Sequence, residues 1–200
     1  MRTGVFIAIE GPDGVGKTTT AAALAARLSA AGRDVHVTAE PSNTPLGRLI
    51  RSAEARLRGR ALALAVAADR RAHVEHEILP AVAQGRLVIS DRYVPSSLVL
   101  QRLDGLTLDE IWLYNADLPA PTATFYLQAP ADLLQARLNE RDRLSRLEQE
   151  GTPTRAIQLY AEAYEFLAAR GWHQQRLDCG TSPPGRVADT ICDHLDHLPT

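Results

Sequence analysis

Cysteine is scarce in this chain: Cys179 and Cys192 are its only two in 200 residues. They have no metal-like spacing and no companions. This excludes a disulfide-stapled scaffold and predicts ordinary thiols in a reducing compartment. An excess of charge is missing too. The 22 Lys and Arg nearly balance the 24 Asp and Glu, leaving a net charge of −2 and no argument for binding nucleic acid or a membrane surface. No run of about 18 apolar residues exists, so no transmembrane helix is expected. The N-terminal residues lead straight into a strand pattern, without the positive region and long apolar stretch of a signal peptide. These absences predict a cytoplasmic protein whose partners are small molecules. At 45% hydrophobic residues the chain can bury a core, and its length suits one α/β domain over residues 1–200.

What is present is concentrated near the start. Gly11-Pro12-Asp13-Gly14-Val15-Gly16-Lys17-Thr18 matches G-x-x-x-x-G-K-[ST]. Val5–Ile9 before it is apolar and largely β-branched, as a buried strand requires. Thr18–Ala31 after it is rich in Ala and Leu, reads as a helix and stops at Gly32. Strand, glycine loop and helix form the context in which this motif cradles phosphates. Backbone N–H groups converge on the anion, and the helix N-terminus adds partial positive charge. Lys17 is expected to reach the β- and γ-phosphates, and the Thr18 hydroxyl to ligand Mg2+.

Strand and helix patterns alternate along the rest of the chain. Further strands are expected at 34–38, 86–91, 123–128 and, weakly, 174–178. Helices are expected at 45–58, 61–83 with a break near Pro80, 96–103, 106–115, 130–143, 153–169 and 185–195. The alternation implies a parallel five-stranded sheet flanked by helices, with ligands at the carboxyl ends of the strands. That rule gathers Glu10 with the glycine loop, Glu40-Pro41, and Asp91-Arg92-Tyr93. Asp91 sits where a strand-end carboxylate holds Mg2+, and Arg92 can grip a phosphate in a fork. His73 and His76 have helical spacing that could suit a metal. With no third ligand evident, a solvated helix face is the better reading.

The ordered set IEGPDGVGKTTT (9–20), AADRRAH (67–73), VISDRYVPSSLVLQ (88–101) and RLEQE (146–150) resembles bacterial thymidylate kinases. The resemblance covers nearly the whole chain and extends to RLDCG (176–180). It implies the P-loop NTPase-type three-layer fold, ATP and Mg2+ as cofactors, and phosphoryl transfer to a nucleoside 5′-monophosphate, most simply dTMP. By resemblance, Gly11, Asp13, Gly14, Val15, Gly16, Lys17, Thr18 and Thr19 hold the ATP phosphates, with Asp13 near metal and acceptor. Arg92 and Arg51 hold the acceptor phosphate. Arg70 meets the base edge, and Ser97 and Gln101 line the nucleoside pocket beside Glu40 and Pro41. Residues 137–152 correspond to a lid over ATP. With Gly14 in the loop and Arg141, Arg143 and Arg146 in the lid, the catalytic arginine is expected from the lid. The family is commonly homodimeric, and the resemblance implies that here.

Departures cluster on the acceptor side. The family's T-R-E-P-G-G-T appears as Thr38-Ala39-Glu40-Pro41-Ser42-Asn43-Thr44. A phenylalanine that stacks on thymine appears as Val66, and a tyrosine under the deoxyribose as Leu100. The lid's D-R-x-E appears as Ser145-Arg146-Leu147-Glu148. Stacking on a base is worth roughly 1–3 kcal/mol. The pocket therefore holds dTMP weakly, suits another monophosphate, or is repaired by Tyr93, Tyr160 or Tyr164. A nucleoside kinase, with Glu40 as general base, and a nucleotide-binding protein without kinase activity are the remaining alternatives. No guanine-reading N-K-x-D motif supports a switch protein.

Overall fold

The computed structural model describes residues 4–53, 55–142 and 144–197. Its centre is β1 (Val5–Glu10), whose apolar residues are buried on both faces of the sheet. α1 (Lys17–Ala30) crosses to β2 (Val35–Ala39). α2 (Pro45–Ala53), α3 (Gly59–His73), a π-helical turn at Val74–Ile78 and α4 (Leu79–Ala83) lead to β3 (Leu87–Asp91). α5 (Val94–Leu103) and α6 (Leu108–Leu113) lead to β4 (Ala123–Gln128). α7 (Ala131–Asn139), α8 (Arg146–Glu150) and α9 (Pro153–Ala168) lead to β5 (Gln174–Asp178), and α10 (Pro184–Asp196) follows.

The five strands pair in parallel in the order β2-β3-β1-β4-β5. Alternation along β1 divides the core. Phe6 and Ala8 face a cluster with Val74, Ile78, Leu98, Ile111 and Leu159. Ile7 and Ile9 face Leu24, Leu134, Val187 and Ile191. The sheet is thus covered on both faces, which is why its strands read as near-continuous apolar runs. This is the expected three-layer parallel α/β fold. Register puts Ile9 beside Asp91, and Asp91 beside Ala39, so three strand ends meet at one edge.

Several boundaries move, each for a local reason. α2 ends at Ala53 rather than 58. The long helix is not broken near Pro80; it widens at Val74–Ile78. Proline lacks an N–H, and its ring excludes the carbonyl one turn back, so the turn before it shifts register. The helix expected over 130–143 stops at Asn139. A separate helix begins at Arg146, where Ser145 and Glu148 form a reciprocal capping box.

Candidate active site

The glycine loop needs backbone that other residues resist. Gly16 is left-handed at φ 99° and starts α1. Gly11 lies so close to β4 that a Cβ would meet the Leu127 carbonyl oxygen at 2.5 Å. The first turn of α1 carries no acidic residue, so its positive end is left for a ligand. Lys17 Nζ curls over the loop and donates to the carbonyls of Gly11 at 2.9 Å and Pro12 at 3.0 Å. Burial, helped by the charge of Arg92, pulls its pKa down to about 8 against the pull of Asp13, Asp91 and Glu10.

Thr18 Oγ1 donates to Asp91 Oδ2 at 2.5 Å. The other Asp91 oxygen, Oδ1, is buried and has no hydrogen-bond partner. A hard cation such as Mg2+ takes one or two protein oxygens and completes its shell with phosphate and water. A hydroxyl and a carboxylate with an unused lone pair, at the mouth of a phosphate loop, fit that requirement.

Arg92 stands at φ 78°, the one left-handed non-glycine among the described residues. Its guanidinium contacts Asp13, Ser96 Oγ at 3.1 Å and Tyr160 Oη at 3.4 Å. Beneath it, the fully buried Glu10 accepts from Tyr93 N at 2.6 Å, Ser96 Oγ at 2.7 Å and Tyr160 Oη at 3.3 Å. Burial raises the Glu10 pKa against the opposing charge of Arg92. Burial also pushes the Asp13 carboxyl up, but Arg92 and Lys17 outweigh it and bring it down to about 2. A carboxylate held below its ordinary 3.8 stabilises the fold above that pH and loses the effect as pH falls toward 2. Asp13→Asn is therefore expected to cost roughly 2 kcal/mol at pH 7, about 4–8 °C in Tm. The gap between the two proteins should close between about pH 4 and pH 2 in thermal melts.

Beside Arg92 lies a cavity of about 230 Å3. Glu40, Pro41, Arg51, Val66, Arg70, Arg92, Ser97, Leu100 and Gln101 all line it, together with Asp13, Leu62 and residues of α8. The residues assigned to the acceptor by sequence are thus brought to one wall-to-wall space. Arg51 contacts the Pro41 carbonyl and Asn43 Oδ1. Arg70 is 2% exposed and donates to Glu40 Oε2 at 2.5 Å, Asn115 Oδ1 at 2.6 Å and the Tyr93 carbonyl at 3.2 Å. Gln101 Oε1 is buried without a partner. No tyrosine lines the cavity: the Tyr93 ring packs on Phe6 at 5.1 Å, Tyr164 packs on Tyr126 at 5.2 Å, and Tyr160 sits by Arg92. The missing rings at Val66 and Leu100 are left as aliphatic walls.

The altered loop after β2 has a physical account. Asp69 accepts from Ser42 N at 2.7 Å, Ser42 Oγ at 2.6 Å and Thr44 Oγ1 at 3.0 Å. The Ser42 hydroxyl, which replaces a glycine, and the neighbouring Thr44 are fastened to the helix bearing Arg70. His73 is not on a solvated face, contrary to expectation. It is buried, with Nε2 at 2.7 Å from Thr38 Oγ1 and Nδ1 at 3.3 Å from Glu40 Oε1. His76 is exposed.

A second cavity, about 300 Å3, opens on the other side of the loop. Gly14, Val15, Gly16 and Thr19 line it, faced by Arg137 and Arg141. Arg141 also pairs with Glu148. Arg137 Nη1 donates to the Gly14 carbonyl at 3.2 Å. Arg146 lines neither cavity and is held by Asp104 and Glu150 instead. Arg143 lies outside the described residues. Sequence reasoning singled out neither Arg137, whose only signal was its place in an arginine-rich stretch, nor the Tyr160–Glu10 support of Arg92.

A parallel α/β sheet, a glycine loop opening a helix, and a buried lysine and half-buried arginine flanked by two cavities define a P-loop phosphotransferase fold. The particular family follows from comparison. The thymidylate kinase family model matches residues 9–173. The chain is 39% identical over 196 residues to the thymidylate kinase of Thermomicrobium roseum, covering 93% of this chain and 91% of that one. It is 37% identical over 193 residues to a probable thymidylate kinase of Pyrobaculum calidifontis, covering 94% and 93%. Against the thymidylate kinase of Xanthomonas euvesicatoria it is 44% identical over 140 residues, covering 69% of this chain and 62% of the relative's length. The chain belongs to the thymidylate kinase family.

Proposed function

We propose that the chain transfers the γ-phosphoryl group of ATP to the 5′-phosphate of dTMP, giving dTDP and ADP. The observation that carries this is that Arg92 joins Asp13 of the glycine loop to a cavity also lined by Arg70 and Gln101. The loop N–H groups and Lys17 hold the donor phosphates, and Arg92 and Arg51 hold the acceptor phosphate. An acceptor oxygen forms the new bond to Pγ as the bond from Pγ to the ADP oxygen breaks. A phosphate acceptor is largely dianionic at neutral pH and needs no general base. Catalysis then rests on alignment and on cancelling charge, tasks for Lys17, Arg92 and an arginine of a lid spanning 137–152. Arg141 faces the loop and suits that role together with Arg137; Arg146 would have to leave Asp104 to share it. Thr18 and Asp91 would hold Mg2+, which when bound neutralises and orients the phosphate oxygens.

The base end supports a pyrimidine carrying an imide N–H beside a carbonyl. Gln101 Oε1 supplies an acceptor without a partner, and Arg70 supplies N–H donors alongside. A hydroxyl acceptor is less well served: both oxygens of Glu40, the base such a reaction would need, are committed to Arg70 and His73. The family resemblance also carries the expectation of a homodimer, which sedimentation of the purified protein tests.

The functional test is ADP release with Mg-ATP and a panel of monophosphates, with thymidine as control. dTMP is expected to be the best acceptor, and turnover of thymidine without dTMP would overturn the reading. Gln101→Leu is expected to raise KM for dTMP about tenfold with little change in kcat, the cost of one hydrogen bond to the base.

A further inference from the structure

Arg146 and Asp104 form an ion pair between side chains only 7% and 5% exposed. The geometry is a fork: Nη1 to Oδ1 at 2.7 Å and Nη2 to Oδ2 at 3.1 Å. Nη1 also meets Glu150 Oε2 at 2.7 Å. Asp104 is the residue that ends α5, and its Oδ2 accepts the backbone N–H of Gly59, the first residue of α3, at 2.9 Å. One carboxylate therefore ties together the C-terminal end of α5, the N-terminal end of α3 and the start of α8.

Those three elements are walls of the acceptor cavity. α5 contributes Leu100 and Gln101, α3 contributes Leu62 and Val66, and α8 contributes Leu147 and Glu148. Leu147 packs with Leu62 and Ile50, so α8 roofs the cavity with apolar contact. The roof helix has five residues, too short to hold its own shape or place in water. Its seat must come from tertiary contacts, and the forked pair is a strongly directional one. Residues 104 and 146 are 42 apart in sequence, so the pair joins separate elements rather than bracing one segment.

We propose that Asp104 and Arg146 form a clasp that seats α8 on α3 and α5 and so sets the size and tightness of the acceptor cavity. Arg146 is then a positioning residue for the nucleoside monophosphate, acting through Leu147 and Glu148. The inference rests on the phosphotransferase reading above and assigns Arg146 a task on the acceptor side of that reaction. It gives the pair a part in specificity, because a loosened roof enlarges a cavity that already lacks aromatic walls.

Steady-state kinetics of Asp104→Asn, Arg146→Gln and the double variant test this, with dTMP and ATP varied separately. Each single variant is expected to raise KM for dTMP about tenfold while KM for ATP stays within about twofold. The double variant should match the singles rather than multiply them, as partners in one interaction do. A fall in kcat of about a hundredfold for Arg146→Gln, with Asp104→Asn near wild type, would show that Arg146 leaves the clasp to act on phosphates and would overturn the proposal. So would an unchanged KM for dTMP in Asp104→Asn. Arg146→Lys keeps the charge without the fork; should the other variants fail to fold, it is expected to show the same KM shift in smaller degree, and no shift would count against the clasp. Wild-type protein that ignores dTMP but uses another monophosphate would sink the dTMP reading alone, and the same cycle would then be read on that acceptor.

Discussion

Replacing Lys17 with methionine is expected to lower kcat by about a thousandfold while leaving the protein folded. Lys17 Nζ is buried against the Gly11 and Pro12 carbonyls, at the point where the loop would wrap a phosphate chain. A methionine of similar length fills the space without the charge. Burial already disfavours the ammonium, so the variant's Tm is not expected to fall. The same burial predicts the pH dependence. With its pKa drawn from 10.5 to about 8, Lys17 is charged below pH 8 and neutral above it in the free protein. kcat/KM for ATP should therefore decline above about pH 8, whereas bound phosphates restore the charge and keep kcat level to higher pH. Stability of the unliganded protein runs the other way. The unfolded chain holds more protons on this lysine between pH 8 and 10.5, so the folded form gains over that range. A kcat/KM profile flat to pH 10 would contradict this account.

What could be read in advance divides along a physical line. The glycine loop was legible because its chemistry is local: Gly11, Gly16, Lys17 and Thr18 carry their own backbone requirements within one turn. A parallel sheet brings strand ends together, which gathered Glu40, Asp91 and Arg92 at one edge; the helical walls of the acceptor cavity, Arg51, Val66, Arg70, Ser97, Leu100 and Gln101, were read only from the family resemblance. The long-range pairings were opaque. Nothing in RLEQE announces that Arg146 is held by Asp104, 42 residues away. The buried state of His73 was recoverable, since it follows Arg70 by three residues and shares its helix face. The departures after β2 read as losses in sequence, yet Ser42, in place of a glycine, bonds Asp69 through both its N–H and its hydroxyl. Where a substitution brings its own hydrogen bond, sequence alone cannot count the gain.

Arg92 should be the most costly residue to change on the acceptor side, and its variants separate chemistry from backbone strain. Its guanidinium spans Asp13, Ser96 and Tyr160, a geometry that an ammonium cannot reproduce. Arg92→Lys is expected to lower kcat/KM for dTMP about a hundredfold and Arg92→Ala about a thousandfold, each read from initial rates at saturating ATP. Arg92→Gly should be as inactive as Arg92→Ala, because both lack the fork. The two should nevertheless differ in stability. The residue stands at φ 78°, a conformation that costs a side chain bearing a Cβ roughly 1–2 kcal/mol and costs glycine little. Glycine should therefore melt at the higher temperature, even after allowance for its greater freedom when unfolded. Both variants strand Asp13 and Glu10 equally, so that penalty cancels in the comparison and the difference reports backbone strain set against glycine's extra unfolded-state entropy. If alanine proves the more stable, the strain of the left-handed backbone is smaller than the entropy glycine loses on folding. If glycine does, the protein keeps a strained arginine between its two cavities at a cost to the fold, which only a task performed there can repay.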